Sequence, residues 1–148
     1  MVFGQRLGQR IDPYLAFNFK VEIRGLVVAG FSDVTGLQAE TETEDYREGG
    51  LNTFVHKLAK LTKYPNLVLK RGLTDSDTLW QWHQQVVSGK IQRQNGSVIL
   101  LDTTGTEKWR WNFSQAYPVK WTGPDFKADG NSVAIESLEL AHNGIWKA

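Results

Sequence analysis

The chain contains no cysteine. Disulfide frameworks, thiolate nucleophiles and Cys-ligated zinc are excluded on that ground, and the composition suits a reducing compartment. Long apolar runs are missing too. The longest cover only a few residues, far short of the ~20 that a membrane-crossing helix needs, so no membrane anchor is expected. The N-terminal MVFGQRLGQRIDPY carries Arg6 and Arg10 with no apolar segment behind them. It is not expected to act as a signal peptide. An excess of charge of either sign is also lacking. The net charge is +1, which gives no global attraction to nucleic acid or to an anionic membrane. Neither G-x-G-x-x-G nor G-x-x-x-x-G-K-[ST] occurs, and His56, His83 and His142 show no metal-ligand spacing. Structural or surface roles are expected for these histidines, and no cofactor, metal or catalytic residue is expected.

What remains is a chain of 148 residues, 41% hydrophobic and 22% charged. That is the globular range, with enough length for one cored domain spanning 1–148 and too little for two. Strand patterns dominate. In Ala16 to Arg24, Phe17, Phe19, Val21 and Ile23 alternate with Asn18, Lys20, Glu22 and Arg24, the period of a half-buried strand. Gly25 breaks it, and Leu26 to Leu37 reads as a second strand whose glycines predict a bulge or bend. Asn52 to Leu58 and Asn66 to Arg71 read as further strands, with Lys57, Lys60 and Lys63 on a loop or twisted ribbon between them. Gly96 to Asp102, Glu107 to Trp121 and Ser132 to His142 complete the set. Along Glu107 to Trp121, Trp109, Trp111, Phe113, Tyr117, Val119 and Trp121 share one parity, opposite Lys108, Arg110, Asn112 and Lys120.

One helix is predicted, over Asp75 to Ser88. Thr74 and Asp77 have the spacing of a capping box, and Asp75 adds negative charge to the first turn. Leu79, Trp82 and Val86 form a buried stripe, with His83 and Gln84 toward the other face, and Gly89 supplies the stop.

Three features invite a functional reading. The segment SVILLDTTGTE, with Asp102, resembles the phosphorylated aspartate motif of phosphohydrolases, where the carboxylate attacks phosphorus. That chemistry needs alternating helices and strands downstream, whereas strands follow here. A hairpin turn built from Asp, Thr and Gly is the better account. The six tryptophans could stack bases on an open sheet, but alternation with charged residues is equally the pattern of a core-facing strand, and the balanced charge favours the core. The third feature is TETEDYREGG, Thr41 to Gly50. Glu40, Glu42 and Glu44 share one face of an extended strand, about 6.5–7 Å apart, which is too far for one metal ion to be held by three in a row. A strand that is polar on both faces gains little from ordering alone, and it makes sense when another chain pairs with it or packs on it.

The order and spacing of DPYLAFNFKVEIRG, AGFSDVTGL, YREGG, NLVLKRGLTDSDTLWQW, ILLDTTG, WNF, AYPVKWTGP and VAIESLELAHNGI resemble the tail tube proteins of contractile-tailed phages and the inner tube proteins of phage-like contractile injection systems. The resemblance covers nearly the whole chain. HKLAKLTKYPN departs from it, because many relatives have a short Pro-Gly turn there. The resemblance implies a mainly β fold, two packed antiparallel sheets in a barrel-like or sandwich body with one flanking helix. It implies six copies in a ring, inner sheets joined around a channel, and rings stacked into a tube. The implied partners are a sheath protein outside, baseplate and terminator proteins at the ends, and cargo or DNA in the channel, in a particle assembled from protein made in the bacterial cytoplasm.

In such an assembly the hairpin region contributes contacts between subunits and rings, which places Tyr46, Arg47, Glu48, Gly49 and Gly50 at an inter-subunit contact. Glu40, Glu42 and Glu44 would then form an acidic band at the lumen or its rim, or face Lys57, Lys60 or Lys63 of a neighbour. A tube-initiating paralogue at the baseplate is a variant of this reading. A monomeric β-barrel binding a small ligand or nucleic acid is an alternative of a different class.

Overall fold

The computed structural model describes residues 12–24, 30–46 and 55–148. Nine strands and one helix run in the order β1 (Phe19–Ile23), β2 (Phe31–Thr35), β3 (Glu40–Tyr46), β4 (His56–Lys63), β5 (Leu67–Gly72), α1 (Thr78–Val87), β6 (Gln94–Leu101), β7 (Glu107–Thr122), β8 (Ile135–Ala141) and β9 (Ile145–Lys147) among the described residues. The mainly β architecture with one helix is as the sequence leads one to expect. Every pairing is antiparallel. One layer contains β1, β6, the first half of β7 and β9; the other contains β2, β5, β8 and the second half of β7. Val21, Ile23, Val98 and Phe113 of the first layer meet Leu67, Leu69, Leu138 and Leu140 of the second, with Leu79 and Trp82 of α1 closing the same core.

β7 passes from one layer to the other, and its chemistry at the crossing overturns the expected single parity. Gln115 adopts a positive φ of 55°, a conformation that is costly for a side chain larger than hydrogen. The register with β6 shifts there, between Gly96↔Phe113 and Gln94↔Ala116. The extra residue is held by Asn95, whose Oδ1 accepts from the Gln115 amide at 3.0 Å. A second shift against β8 falls between Pro118 and Lys120. Each bulge swaps the inward face. The residues that turn inward are therefore Phe113, then Ala116 and Pro118, then Trp121 packed on the core edge, while Trp109 and Val119 are exposed.

The helix begins later than predicted. It starts at Thr78 with Asp77 in the N-cap position, and no side-chain cap bond forms. Thr74 does not cap it; its hydroxyl accepts from the Ser76 amide in a local turn, the competing use of a short polar side chain. The first turn accordingly carries no acidic residue. The buried stripe is as expected, with Leu79 and Trp82 buried and Val86 half-buried. His83 and Gln84 are half-buried as well, and the exposed face is Trp80, Gln81, Gln85 and Val87. At the C-terminus Gly89 takes φ 89°, and its amide and that of Lys90 bond back to Val86 and Gln85, the paired closure that favours glycine.

Further differences concern element limits. β2 occupies only part of the strand predicted over Leu26 to Leu37, whose residues 26–29 lie outside the described residues. The strand predicted over Asn52 to Leu58 begins in part outside them too, and β4 continues through Lys63, so of the loop and ribbon expected for Lys57, Lys60 and Lys63 the ribbon holds. The short β9 was not anticipated. Gly144 breaks the pattern after His142, and three residues then return to pair with β7.

Candidate functional site

β3 and β4 form a two-stranded sheet of their own, paired with no other strand among the described residues. Both cross-strand registers and the burial pattern describe a ribbon with almost no covered surface. Its two roots, residues 36–39 and 64–66, leave the same end of the β2–β5–β8 layer, because Thr35 pairs with Val68 and Leu67 with Leu140. The roots are pressed together. Gly36 has φ 97°, and a Cβ there would overlap the Asn66 carbonyl, so only glycine fits.

The register fixes the faces of the ribbon. Glu40, Glu42, Glu44 and Tyr46 project to one side with Leu58 and Lys63; Thr41, Thr43 and Asp45 project to the other with Lys57 and Thr62. Alternation thus places the three glutamates together as expected. A bulge between Thr41 and Thr43 sets two β4 residues, Lys60 and Leu61, against Glu42. Leu61 is left 75% exposed.

Two of the three ribbon lysines have partners within the chain. Lys63 pairs with Glu42 and Lys57 with Asp45 at 3.7 Å, both within the chain. The hydrogen bond to Glu42, backed by its charge and that of Glu40, holds the Lys63 ammonium above its ordinary pKa. Thr41 and Thr62 hydroxyls bond across the other face at 2.9 Å. Tyr46 closes the described part of β3, half exposed, opposite His56. Arg47, Glu48, Gly49 and Gly50 lie outside the described residues.

The body offers open edges besides the ribbon. Among the described residues, β1 and β2 end the hydrogen-bonded path, and β9 pairs on one side only. Unpaired edges of this kind template pairing with another chain. On the outward face of the first layer, Arg110 links Glu22 at 3.2 Å and Glu107 at 2.7 Å, and Lys20 adds to Glu22 at 3.5 Å. Bonding to Glu107, ahead of the opposing desolvation, raises the Arg110 pKa, and the same bond lowers that of Glu107.

Asp102 lies in the β6–β7 hairpin, as the turn reading expects. Its Oδ1 accepts from the Thr104 amide at 2.9 Å, the Thr104 hydroxyl at 2.6 Å and the Thr106 amide at 2.9 Å. These bonds, the Thr104 hydroxyl first, hold the carboxyl below the usual carboxylate range. Oδ1 is thus engaged in shaping the turn, while Oδ2 faces the Lys108 ammonium at 3.7 Å. His142 is likewise structural: Nδ1 accepts from the Gly144 amide at 3.1 Å, which leaves Nε2 to donate to the Pro65 carbonyl at 2.9 Å. Among the described residues no group of three His, Asp or Glu could hold a metal ion, and no helix is long and apolar enough to cross a membrane.

One pair escaped the sequence reading. Arg71 and Glu136 face each other across β5 and β8, and both are buried. They stand at the inward positions of LVLKRG and IESLELA, in phase with Leu67 and Leu69 and with Leu138 and Leu140. A charge at an inward position in each of two strands was the available signal.

The described residues thus form a two-layer β body with a projecting two-stranded ribbon. The chain matches the model of the T4-like virus tail tube protein gp19 family over residues 15–146, and it is a member of that family. A chain in the cryo-EM structure of the anti-feeding prophage baseplate has the same fold, with TM-score 0.86 and 27% identity, covering 94% of this chain and 97% of that one. A chain of the sheath/tube terminator of the PVC extracellular contractile injection system, in the extended state, gives 0.84 and 25% identity over 93% of this chain and 98% of that one. A third, from the PVC sheath–tube complex, gives 0.83 and 24% over 92% and 91%, a likeness of fold. Among curated proteins, none matches in sequence.

Proposed function

We propose that this chain is the structural subunit of the inner tube of a contractile tail or contractile injection system. Six copies close a ring around a channel, and rings stack into a tube. The observation that carries this reading is the β3–β4 ribbon. It is ordered, extended and uncovered in the single chain, and a two-stranded hairpin alone is marginal in water. Family membership supplies the assembly in which such a ribbon is covered. A head-to-tail contact closes a ring when its rotation permits, and edges joined around that ring disappear.

The subunit performs no catalysis. Its work is mechanical: a rigid conduit for cargo or DNA, with sheath outside and baseplate and terminator proteins at the ends, assembled from chains made in the bacterial cytoplasm. Tyr46, Arg47, Glu48, Gly49 and Gly50 contact another subunit; the fork of donors on Arg47 suits a neighbouring carboxylate. Glu40, Glu42 and Glu44 face the lumen or its rim. Lys63 offsets Glu42, so the band is weaker than three bare carboxylates per copy.

Sedimentation velocity of the purified chain tests the reading. Rings and their multiples are expected across micromolar concentrations. A stable monomer over the same range overturns it and leaves a β-barrel binding module as the better account.

A further inference from the structure

The turn between β8 and β9 consists of His142, Asn143 and Gly144. It is pinned to β7. The Asn143 amide donates to the Ser114 carbonyl at 2.9 Å, and the Ser114 amide donates to the Gly144 carbonyl at 3.3 Å. Gly144 takes a φ of 146°, which favours glycine. Its amide has an uncommon partner for a backbone N–H, the imidazole Nδ1 of His142 at 3.1 Å. Asn143 is exposed, and its side-chain amide makes no hydrogen bond among the described residues.

An Asn–Gly pair can close on itself. The glycine nitrogen attacks the side-chain carbonyl carbon of the asparagine, ammonia departs and a cyclic imide forms. That nitrogen is a weak nucleophile until a base takes its proton. Here a base already holds that proton, in a geometry fixed by the fold.

We propose that Asn143–Gly144 is a self-modification site, converted to aspartate and isoaspartate with the His142 imidazole as general base. Nδ1 takes the amide proton as the Gly144 nitrogen bonds to Asn143 Cγ. The imidazolium returns a proton to the departing amide group, the Cγ–Nδ2 bond breaks and ammonia leaves. Water then opens the imide at either carbonyl, and no other reactant is consumed. The Pro65 carbonyl, at 2.9 Å from Nε2, orients the ring and stabilises the cation that forms. Tyr64 and Phe113 flank the ring, with centroids at 6.1 and 6.5 Å, and among the described residues no charged side chain bonds to it. The step alters the chain that performs it and is not turnover. Its product adds a carboxylate and, as isoaspartate, an extra backbone carbon. Both fall at the turn that braces Ser114 and, through His142, the Pro65 root of the ribbon. The inference goes beyond the tube reading and does not rest on it.

The chain carries its own control in Asn95–Gly96. There Asn95 Oδ1 is held by the Gln115 amide at 3.0 Å, and Gly96 is fixed in β6 between Ile23 and Phe113. The full chain is incubated at neutral pH in its native state and in urea. Peptide mass spectrometry locates each conversion, and isoaspartate-specific methylation counts that product. In the native chain Asn143 is expected to convert and Asn95 to stay intact; in urea both should react at similar rates. His142→Gln keeps a donor and an acceptor without the basicity, and should slow conversion at Asn143 several-fold while the chain stays folded by circular dichroism. The pH profile of the wild-type chain needs no variant. Its rate at Asn143 should climb as the imidazole loses its proton and then flatten. Native Asn143 that stays intact while the chain in urea converts would overturn the proposal. So would an undiminished rate in folded His142→Gln, or a wild-type rate that keeps rising with hydroxide and never flattens.

Discussion

Replacing Glu136 with Gln should cost far more stability than its place near a strand end implies. Arg71 Nε donates to Glu136 Oε1 at 2.5 Å, and the two residues are 5% and 1% exposed. The guanidinium also reaches the Ser76 carbonyl at 3.4 Å and lies 5.9 Å from the centre of the Phe31 ring. Glutamine keeps the shape and removes the charge. A buried cation is then left without its counter-ion, a loss of roughly 3–5 kcal/mol. For a domain of this length each kcal/mol moves the melting temperature by about 2–4 °C, so the fall should be about 6–20 °C. Removing both charges, with Arg71→Met and Glu136→Leu, should restore most of the stability, because the cost lies in the unpaired ion and not in the lost bond. Far-UV circular dichroism during thermal melting checks this, with sedimentation confirming that the compared samples share one assembly state. A Glu136→Gln protein melting within about 2 °C of wild type, or a double variant no better than the single one, would refute the reasoning.

Trp82 is 4% exposed and its indole donates to the Gln92 carbonyl at 3.3 Å; Trp82→Ala should cost about 3–5 kcal/mol in urea unfolding. Asp102→Asn should leave assembly intact, and wild-type protein should show no magnesium-dependent phosphatase activity. The Thr104 and Thr106 bonds hold the folded pKa of Asp102 below the usual carboxylate range, so its contribution is complete above that range and is lost as pH falls through the lowered value, which NMR titration of the Thr104 and Thr106 amides would follow. Replacing Glu40, Glu42 and Glu44 together by Gln should leave tubes that form normally with a less negative lumen; loss of rings would place the glutamates in an interface. Deleting Tyr46 to Gly50 should abolish ring closure or stacking while the body stays folded by circular dichroism, and normal tubes from this deletion would contradict the role given to the ribbon.

Local chemistry made much of the fold legible. The alternation of β1 and β5, the buried stripe of α1 and the Asp102 turn were all readable, because each depends on neighbours a few residues away. β7 was misread because its parity depends on two bulges. No glycine marks the first, and Asn95, twenty residues away, secures Gln115 in its unusual conformation. The helix start was misplaced because Thr74 had two local uses and the turn at Ser76 won. The two polar faces of the ribbon were readable as well, because alternation along Glu40 to Tyr46 depends only on neighbouring residues. The pairing of Lys57 with Asp45 and Lys63 with Glu42 did not follow, since the bulge at Lys60 and Leu61 sets the register.

Negative-stain electron microscopy of the purified full chain tests the central claim most directly. The account predicts six-fold rings with an open centre, and tubes made of those rings stacked in one polarity. A field of compact particles the size of one folded chain, with neither rings nor tubes under any condition in which the protein is soluble, would contradict it.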